Sequence, residues 1–143
     1  MKGSCLCGEI EFELKTFNGN LYQCHCTLCR KQGGSSSNSG TVVPKDQLVW
    51  LTGQDKVRTW TKDTGFTACF CENCGAPVPN VLRKMDFYWV PVGALEDGPY
   101  RIVANLYLDS KASWAVVAPS GARFETMPEI KDFIQLLGHD LHT

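Results

Sequence analysis

Residues Cys71-Glu72-Asn73-Cys74-Gly75 form a C-x-x-C-G knuckle, and this stretch decides the fold. Two thiolates three positions apart can bind one metal ion, and the glycine lets the chain curl so that backbone N–H groups point at the sulfurs. Cys5-Leu6-Cys7-Gly8 offers a second pair. We predict this pair at the end of a strand, where residues i and i+2 face the same way. Together the two pairs predict a closed, tetrahedral zinc site whose loss would unfold the chain.

The composition indicates metal binding rather than disulfides. The chain has 143 residues, which favours one domain over residues 1–143, and 8 of them are cysteine. No secretory signal and no membrane-length apolar run is visible, so we predict a cytoplasmic protein, in which stable disulfides are rare. A net charge of −1 argues against a nucleic-acid partner, because binding to phosphates needs a basic face.

A second cluster lies at Cys24-His25-Cys26-Thr27-Leu28-Cys29, where three thiols fall within six residues. Three protein ligands are typical of a catalytic zinc ion whose fourth position is open. Such an ion is a weak Lewis acid, because three thiolates exceed its charge, but it can bind an incoming thiol and hold it as thiolate. Arg30 and Lys31 follow at once, and their charges would offset the added negative charge.

Two residues leave alternatives open at this second site. A fourth protein ligand would close it, and the candidates are His25 and the surplus Cys69. His25 points away from its flanking cysteines if the segment is extended, which favours a role as a hydrogen-bonded neighbour. Cys69 is more often a small buried apolar residue than a ligand. Four disulfides, an iron–sulfur cluster or two structural zinc sites are the other interpretations of the cysteines.

The rest of the chain predicts mainly β structure. Ile10, Phe12 and Leu14 alternate with glutamates, the pattern of a half-buried strand. β-Branched and aromatic residues predict five further strands, at residues 47–51, 56–60, 66–70, 87–92 and 101–108. We predict the Gly/Ser-rich segment 33–40 as a loop or a small-residue strand near the metal region.

One α-helix is predicted at the C-terminus, over about residues 127–137. Thr126 and Glu129 fit a capping box at its start, and Gly138 supplies the stop. Its apolar stripe, which must cover the sheet, consists of Ile130, Phe133, Ile134 and Leu137.

Three motifs carry a family resemblance: Gly3-Ser4-Cys5-Leu6-Cys7-Gly8-Glu9-Ile10, Cys24-His25-Cys26-Thr27-Leu28-Cys29-Arg30-Lys31 and Phe70-Cys71-Glu72-Asn73-Cys74-Gly75. In this order they resemble the glutathione-dependent formaldehyde-activating enzyme family, which also includes centromere protein V. With Lys111-Ala112-Ser113-Trp114 downstream, the likeness spans roughly residues 3–125.

The resemblance implies a zinc-binding fold of several coiled antiparallel β-sheets. It also implies carbon–sulfur lyase chemistry, in which glutathione and formaldehyde join reversibly as S-hydroxymethylglutathione. By position, the structural zinc would be bound by Cys5, Cys7, Cys71 and Cys74. The catalytic zinc would be bound by Cys24, Cys26 and Cys29. The numbers of cysteines in the two clusters, four and three, lead to the same assignment of a structural and a catalytic zinc site.

The chain departs from the family pattern at Ala68, where members often have an arginine, and at Asn105, where many have a histidine. We therefore predict a lyase with two zinc ions that acts on glutathione or a similar thiol and on formaldehyde or another small aldehyde. Arg30 is placed in its catalytic site, and Arg30 and Lys31 are predicted to contact the thiol ligand. The alternative is a non-catalytic, zinc-stabilised binding module with two closed metal sites, and a third hypothesis is metal buffering.

Overall fold

Residues 1–82 and 85–141 are described by a computed structural model, which is mainly β as predicted. The described residues form eleven strands and two α-helices. The strands are β1 Lys2–Ser4, β2 Glu11–Leu14, β3 Asn20–Cys24, β4 Asn38–Pro44, β5 Leu48–Thr52, β6 Val57–Thr61, β7 Thr67–Cys71, β8 Asn80–Val81, β9 Phe87–Pro91, β10 Arg101–Leu106 and β11 Ala122–Arg123. The helices are α1 Thr27–Gly33 and α2 Ile130–Leu136. Neither helix has the length and apolar character that a membrane span requires.

The chain divides into two compact units, each built from two separate segments. The first unit comprises Met1–Phe17 and Val42–Asp97, and the second comprises Asn18–Thr41 and the chain from Gly98 onward. Each unit contains one of the two cysteine clusters. One domain over residues 1–143 stays a prediction.

The first unit holds the sheet β1-β2-β5 and the hairpin β6–β7, which are both antiparallel. Ile10, Phe12 and Leu14 are fully buried, which confirms the alternation predicted for this strand. The ring of Trp50 on β5 meets the Phe12 ring edge-on, with centroids 6.1 Å apart. Strands β8 and β9 also pair antiparallel in this unit.

The second unit holds β3 and β10 side by side, and this pair is parallel. Strand β11 is also parallel to β10, whereas the start of β4 pairs antiparallel with β3. The sheets are therefore not all antiparallel as the family resemblance implied. The two strands of the parallel pair are far apart in sequence, so no short hairpin can join them.

Helix α2 covers this sheet, as its apolar stripe predicted. The Phe133 ring packs edge-on against Tyr22 of β3 at 4.9 Å, and Ile134 and Leu137 are fully buried. Ile130, which was predicted in the same stripe, is exposed because it lies at the first turn of the helix. The predicted capping box is wrong, however: the helix starts at Ile130, and Glu129 is its N-cap without a side-chain hydrogen bond. Pro128 explains the late start, because the residue before a proline is disfavoured in helical conformation.

Five predicted strands, at residues 47–51, 56–60, 66–70, 87–92 and 101–108, are confirmed with their ends within two residues. The last strand stops at Leu106, because Tyr107 has a positive φ of 56°. Helix α1 was not predicted, and neither were the five strands β1, β3, β4, β8 and β11. None of the seven residues of α1 is buried, so it has no apolar stripe for a sequence to show. The segment 33–40 holds the end of α1, a bend and the start of β4.

Candidate metal centres

The first cysteine cluster brings four sulfur atoms together in the first unit. The thiols of Cys5, Cys7, Cys71 and Cys74 all lie within 4.8 Å of one another. The Cys7 sulfur is 3.6 Å from that of Cys5 and 3.9 Å from that of Cys71. Four sulfurs bound tetrahedrally to one zinc ion at 2.3 Å would lie about 3.8 Å apart. The donor set and its spacing therefore fit a closed zinc site.

Two tight turns build this cluster. Cys5 directly follows the end of β1, as predicted, but Cys7 lies in a turn, which a hydrogen bond from Gly8 N–H to the Cys5 carbonyl closes. Cys71 ends β7, and the Gly75 N–H donates to its carbonyl at 2.8 Å. Gly8 and Gly75 have φ values of 82° and 76°, which other residues rarely adopt.

Hydrogen-bond donors lie near several of these thiols and lower the pKa of two of them. The Ile10 N–H donates to the Cys5 sulfur at 3.3 Å. A side-chain hydrogen bond from Asn73 lowers the pKa of Cys7. Backbone hydrogen bonds from Ala76 and Cys7 lower the pKa of Cys74 to about 6. Burial instead raises the pKa of Cys71 to about 11, so the thiolate, the form that binds metal, is stabilised at Cys7 and Cys74 before any ion arrives.

The second cluster lies in the second unit and joins three thiols. The sulfurs of Cys24, Cys26 and Cys29 lie within 4.8 Å of one another. Cys24 is the last residue of β3, and Cys26 is the N-cap of α1. The Cys26 sulfur accepts a hydrogen bond from the Cys29 backbone N–H at 3.4 Å. The unpredicted helix therefore fixes the spacing of the last two ligands.

Of the three thiols in this cluster, that of Cys26 is deprotonated most readily. Hydrogen bonds from the thiols of Cys24 and Cys29 lower the pKa of Cys26 to about 2. The same contact with Cys26 raises the pKa of Cys24 to about 12, and the pKa of Cys29 is also raised. A metal ion that bound all three sulfurs would displace the protons from the outer two.

Neither candidate for a fourth ligand belongs to this cluster within residues 1–82 and 85–141. His25 is buried, but its ring nitrogens do not join the three sulfurs. Cys69 lies in the core of the first unit, where its thiol contacts the Thr59 hydroxyl at 3.3 Å. Three protein ligands fit a zinc ion with one position left for another ligand.

A pocket of about 220 Å³ lies along α1 in the same unit. It is lined by Thr27, Arg30, Lys31, Gly34, Ser35 and Trp114. Arg30 donates to the Ser110 carbonyl at 3.3 Å, which ties α1 to the loop that carries Trp114. The Trp114 side chain is 65% exposed, so it stands at the surface and not in the core. Sequence reasoning predicted the two basic residues but missed Thr27, Gly34 and Ser35, since without α1 nothing placed them together.

A second pair of basic residues, Arg58 and Lys62, lies in the first unit. Arg58 forms an ion pair with Glu72 of the knuckle, and Lys56 contacts the same carboxylate at 3.5 Å. Arg58 and Lys56 thus share one carboxylate. In the second unit, Arg30 and Lys31 are the basic side chains that line the pocket along α1.

Known proteins resemble this chain in sequence and in structure. Residues 1–110 match the family model described as glutathione-dependent formaldehyde-activating enzyme. A crystal structure of a Rhodobacter sphaeroides protein superimposes with a TM-score of 0.58 and 27% identity. The superposition covers 69% of this chain and 91% of that one. No curated protein matches the sequence significantly.

We predict that Cys71→Ser removes one zinc ion and unfolds the protein. Apparent binding of a structural zinc contributes about 10–16 kcal/mol, whereas a domain is stable by about 5–15 kcal/mol. Elemental analysis and circular dichroism measure both effects. Cys69→Ser is the matched control, since this buried thiol on the same strand lies outside the cluster, and it should keep all the metal. Equal metal content in the two variants would contradict the assignment.

Proposed function

Because this chain belongs to the glutathione-dependent formaldehyde-activating enzyme family, we propose that it is a zinc-dependent carbon–sulfur lyase. It reversibly joins glutathione, or a similar thiol, to formaldehyde or another small aldehyde as an S-hydroxymethyl adduct. In this proposal the four-cysteine cluster binds a structural zinc ion. The three-cysteine cluster of Cys24, Cys26 and Cys29 binds the catalytic one.

The count of protein ligands carries this proposal. Four thiolates fill the coordination of zinc, whereas three leave room for one exogenous ligand. Bound zinc at the second cluster supplies a position at which an incoming thiol is held as thiolate, the nucleophilic form. A binding module with two closed sites would need a fourth ligand, and neither His25 nor Cys69 joins the cluster.

The pocket along α1 supports a thiol that carries negative charge. Arg30 and Lys31 line it, and α1 begins at the N-cap Cys26, so these cations lie on the same short helix as two of the thiol ligands. Carboxylates of a glutathione-like molecule would be bound by the two cations. The Trp114 ring would pack against its apolar part. Binding there holds the sulfur beside the cluster and makes the encounter with the aldehyde effectively intramolecular.

The reaction itself is an addition and needs no oxidant. The thiol sulfur forms a bond to the aldehyde carbon, and the second electron pair of the C=O bond moves to the oxygen. That oxygen then takes up one proton, which balances the proton lost by the thiol. Since thiols add to formaldehyde unaided, the residues of this chain mainly bind and orient the thiol and favour its thiolate form.

We predict that Cys26→Ala keeps the fold, binds one zinc ion instead of two and loses adduct formation above the uncatalysed rate. The first cluster retains its four ligands, whereas the second keeps only two. Elemental analysis, circular dichroism and NMR exchange of ¹³C-formaldehyde with glutathione measure the three results. Cys69→Ala should behave like the wild type. Full activity in Cys26→Ala would end the idea of a catalytic second site.

X-ray absorption at the zinc edge separates the enzyme from the closed module. With one four-sulfur and one three-sulfur site, we expect about 3.5 sulfurs per zinc in the free protein. Glutathione should raise this average toward four, because its sulfur takes the open position. If glutathione does not change the average number of sulfurs per zinc, the result favours the binding module with two closed sites.

For the substrate, we predict that Lys31→Glu raises the KM for glutathione at least about fivefold, with a smaller effect on kcat. An exposed ion pair is worth up to about 1 kcal/mol, and a reversed charge adds repulsion. The effect should shrink as salt is added. Lys62→Glu, a reversal outside the pocket, is the control. If both variants have the same KM for glutathione, Lys31 does not contribute to binding of the thiol.

A further inference from the structure

Tyr107 is held in a backbone conformation that a bulky residue rarely adopts. Its φ and ψ angles are 56° and 45°, in the left-handed helical region. Within residues 1–82 and 85–141, it is the one residue other than glycine with a positive φ. Such a conformation costs free energy and persists only where the surrounding structure enforces it, often at functional sites. The contacts of this part of the second unit indicate which site it serves.

Hydrogen bonds to a neighbouring segment enforce the conformation. The backbone N–H groups of Tyr107, Leu108 and Asp109 donate to the three carbonyls of residues 124–126, at 3.1 or 3.2 Å. The Ser110 N–H donates back to the Tyr107 carbonyl at 3.1 Å, which closes the turn. The chain therefore makes a fixed turn directly after β10.

The segment 106–110, which we call the Tyr107 turn, is attached at both ends to the stretch that carries the three-cysteine cluster. At one end, the His25 N–H donates to the Leu106 carbonyl at 2.9 Å. At the other, the Arg30 guanidinium donates to the Ser110 carbonyl at 3.3 Å. The last two cysteines of the cluster lie in sequence between these two attachment points. The Tyr107 turn thus lies alongside the start of α1.

The Tyr107 turn also leads directly to one wall of the pocket along α1. Trp114 follows Ser110 by four positions, and its side chain lines this pocket together with Arg30. The Ala115 N–H donates to the Ala112 carbonyl at 3.0 Å, so the connection is itself folded into a turn. Where Trp114 stands relative to α1 is therefore set by the direction in which the chain leaves β10.

We propose that the left-handed conformation of Tyr107 is a positioning device for the thiol pocket. It places Trp114 at the pocket and presents the Ser110 carbonyl to Arg30. An extended conformation at this position would direct the chain away from α1 and remove both contacts. Tyr107 acts through the backbone that follows it and is a positioning residue. The proposal rests on the proposed function in one respect, since it takes the pocket along α1 as the site of the thiol.

Substitutions that differ in their tolerance of a positive φ test this proposal. Tyr107→Val introduces a β-branched residue, which strongly disfavours the left-handed region, whereas Tyr107→Gly and Tyr107→Asn tolerate it. We expect Tyr107→Val to raise the KM for glutathione about tenfold, the factor to which the strain of one such residue corresponds in an equilibrium. The kcat and the zinc content should change little. The glycine and asparagine variants should keep the KM of the wild type.

Fluorine NMR reports the position of Trp114 without any turnover. In protein labelled with 5-fluorotryptophan, the signal that Trp114→Phe removes belongs to Trp114. In the free protein, Tyr107→Val should shift this signal, whereas Tyr107→Gly and Tyr107→Asn should leave it in place. Tyr100→Val is the matched control, because it makes the same replacement just before β10, where the backbone has no positive φ. It should change neither the signal nor the KM.

The pattern among the variants decides between the backbone and the ring. Losses of similar size in all three Tyr107 variants would assign the effect to the side chain and overturn the proposal. An unchanged KM and an unshifted Trp114 signal in Tyr107→Val would also overturn it. If Tyr107→Val does not fold, Tyr107→Ala is compared with Tyr107→Gly, since both lack the ring and differ by one carbon that disfavours a positive φ. A KM for the alanine variant no higher than that for the glycine variant then overturns the proposal.

Failure of this proposal is distinguishable from failure of the proposed function. If the wild type forms the adduct and Tyr107→Val behaves like it, the positioning role is wrong and the proposed function stands. If the wild type forms no adduct, the proposed function is wrong. The Trp114 signal in the free protein then still decides whether Tyr107 positions this wall of the pocket.

Discussion

The fold of the first unit depends on one constraint: four sulfur atoms must meet around a single point. Cys7 and Cys71 are 64 positions apart in sequence, and yet their sulfurs lie 3.9 Å from each other. Bringing such distant residues together costs chain entropy, and neighbouring thiolates repel one another. A divalent cation turns that repulsion into attraction. The buried side chains of Ile10 and Val78 belong to the same core cluster as Cys5 and Cys71, so the four-cysteine cluster is continuous with the apolar core.

The second cluster is built on a different principle. Its three ligands lie within six residues, so a turn and the first turn of α1 suffice to gather them. Little chain entropy is lost, and the cluster does not need a full set of four ligands to hold a tertiary fold together. Because its cysteines are close in sequence, this cluster can form with three protein ligands instead of four. A zinc ion that takes part in a reaction needs such an open coordination position. In the proposed function, the four-cysteine cluster with widely separated residues is the structural centre, and the three-cysteine cluster with closely spaced residues is the reactive one.

Sequence patterns predicted the strands and the helix in which buried and exposed residues alternate regularly. They did not predict elements that lack such a pattern. Strand β2 and the helix stripe of α2 have strong apolar periodicity, and both were predicted. Helix α1 has no buried residue, and its cap is a cysteine sulfur, which no propensity scale anticipates. The cysteine groups followed from ligand spacing alone, since thiol chemistry restricts their partners. The pocket residues Thr27, Gly34 and Ser35 were not predicted, because their contact with Trp114 depends on where α1 and a distant loop meet.

In the proposed function, charge explains why we assign basic ligand contacts to the second cluster. Four thiolates exceed the charge of zinc by two and three exceed it by one, so a further thiolate brings the second site to the charge of the first. At the first cluster, backbone N–H groups offset this excess, and Arg58 instead pairs with Glu72. At the second, an entering thiolate would carry the extra charge in the proposed reaction, and Arg30 and Lys31 lie on the helix that Cys26 caps. Backbone N–H dipoles can offset the permanent charge of protein thiolates. The side-chain cations would offset the charge of a substrate thiolate, which is present only while the substrate is bound.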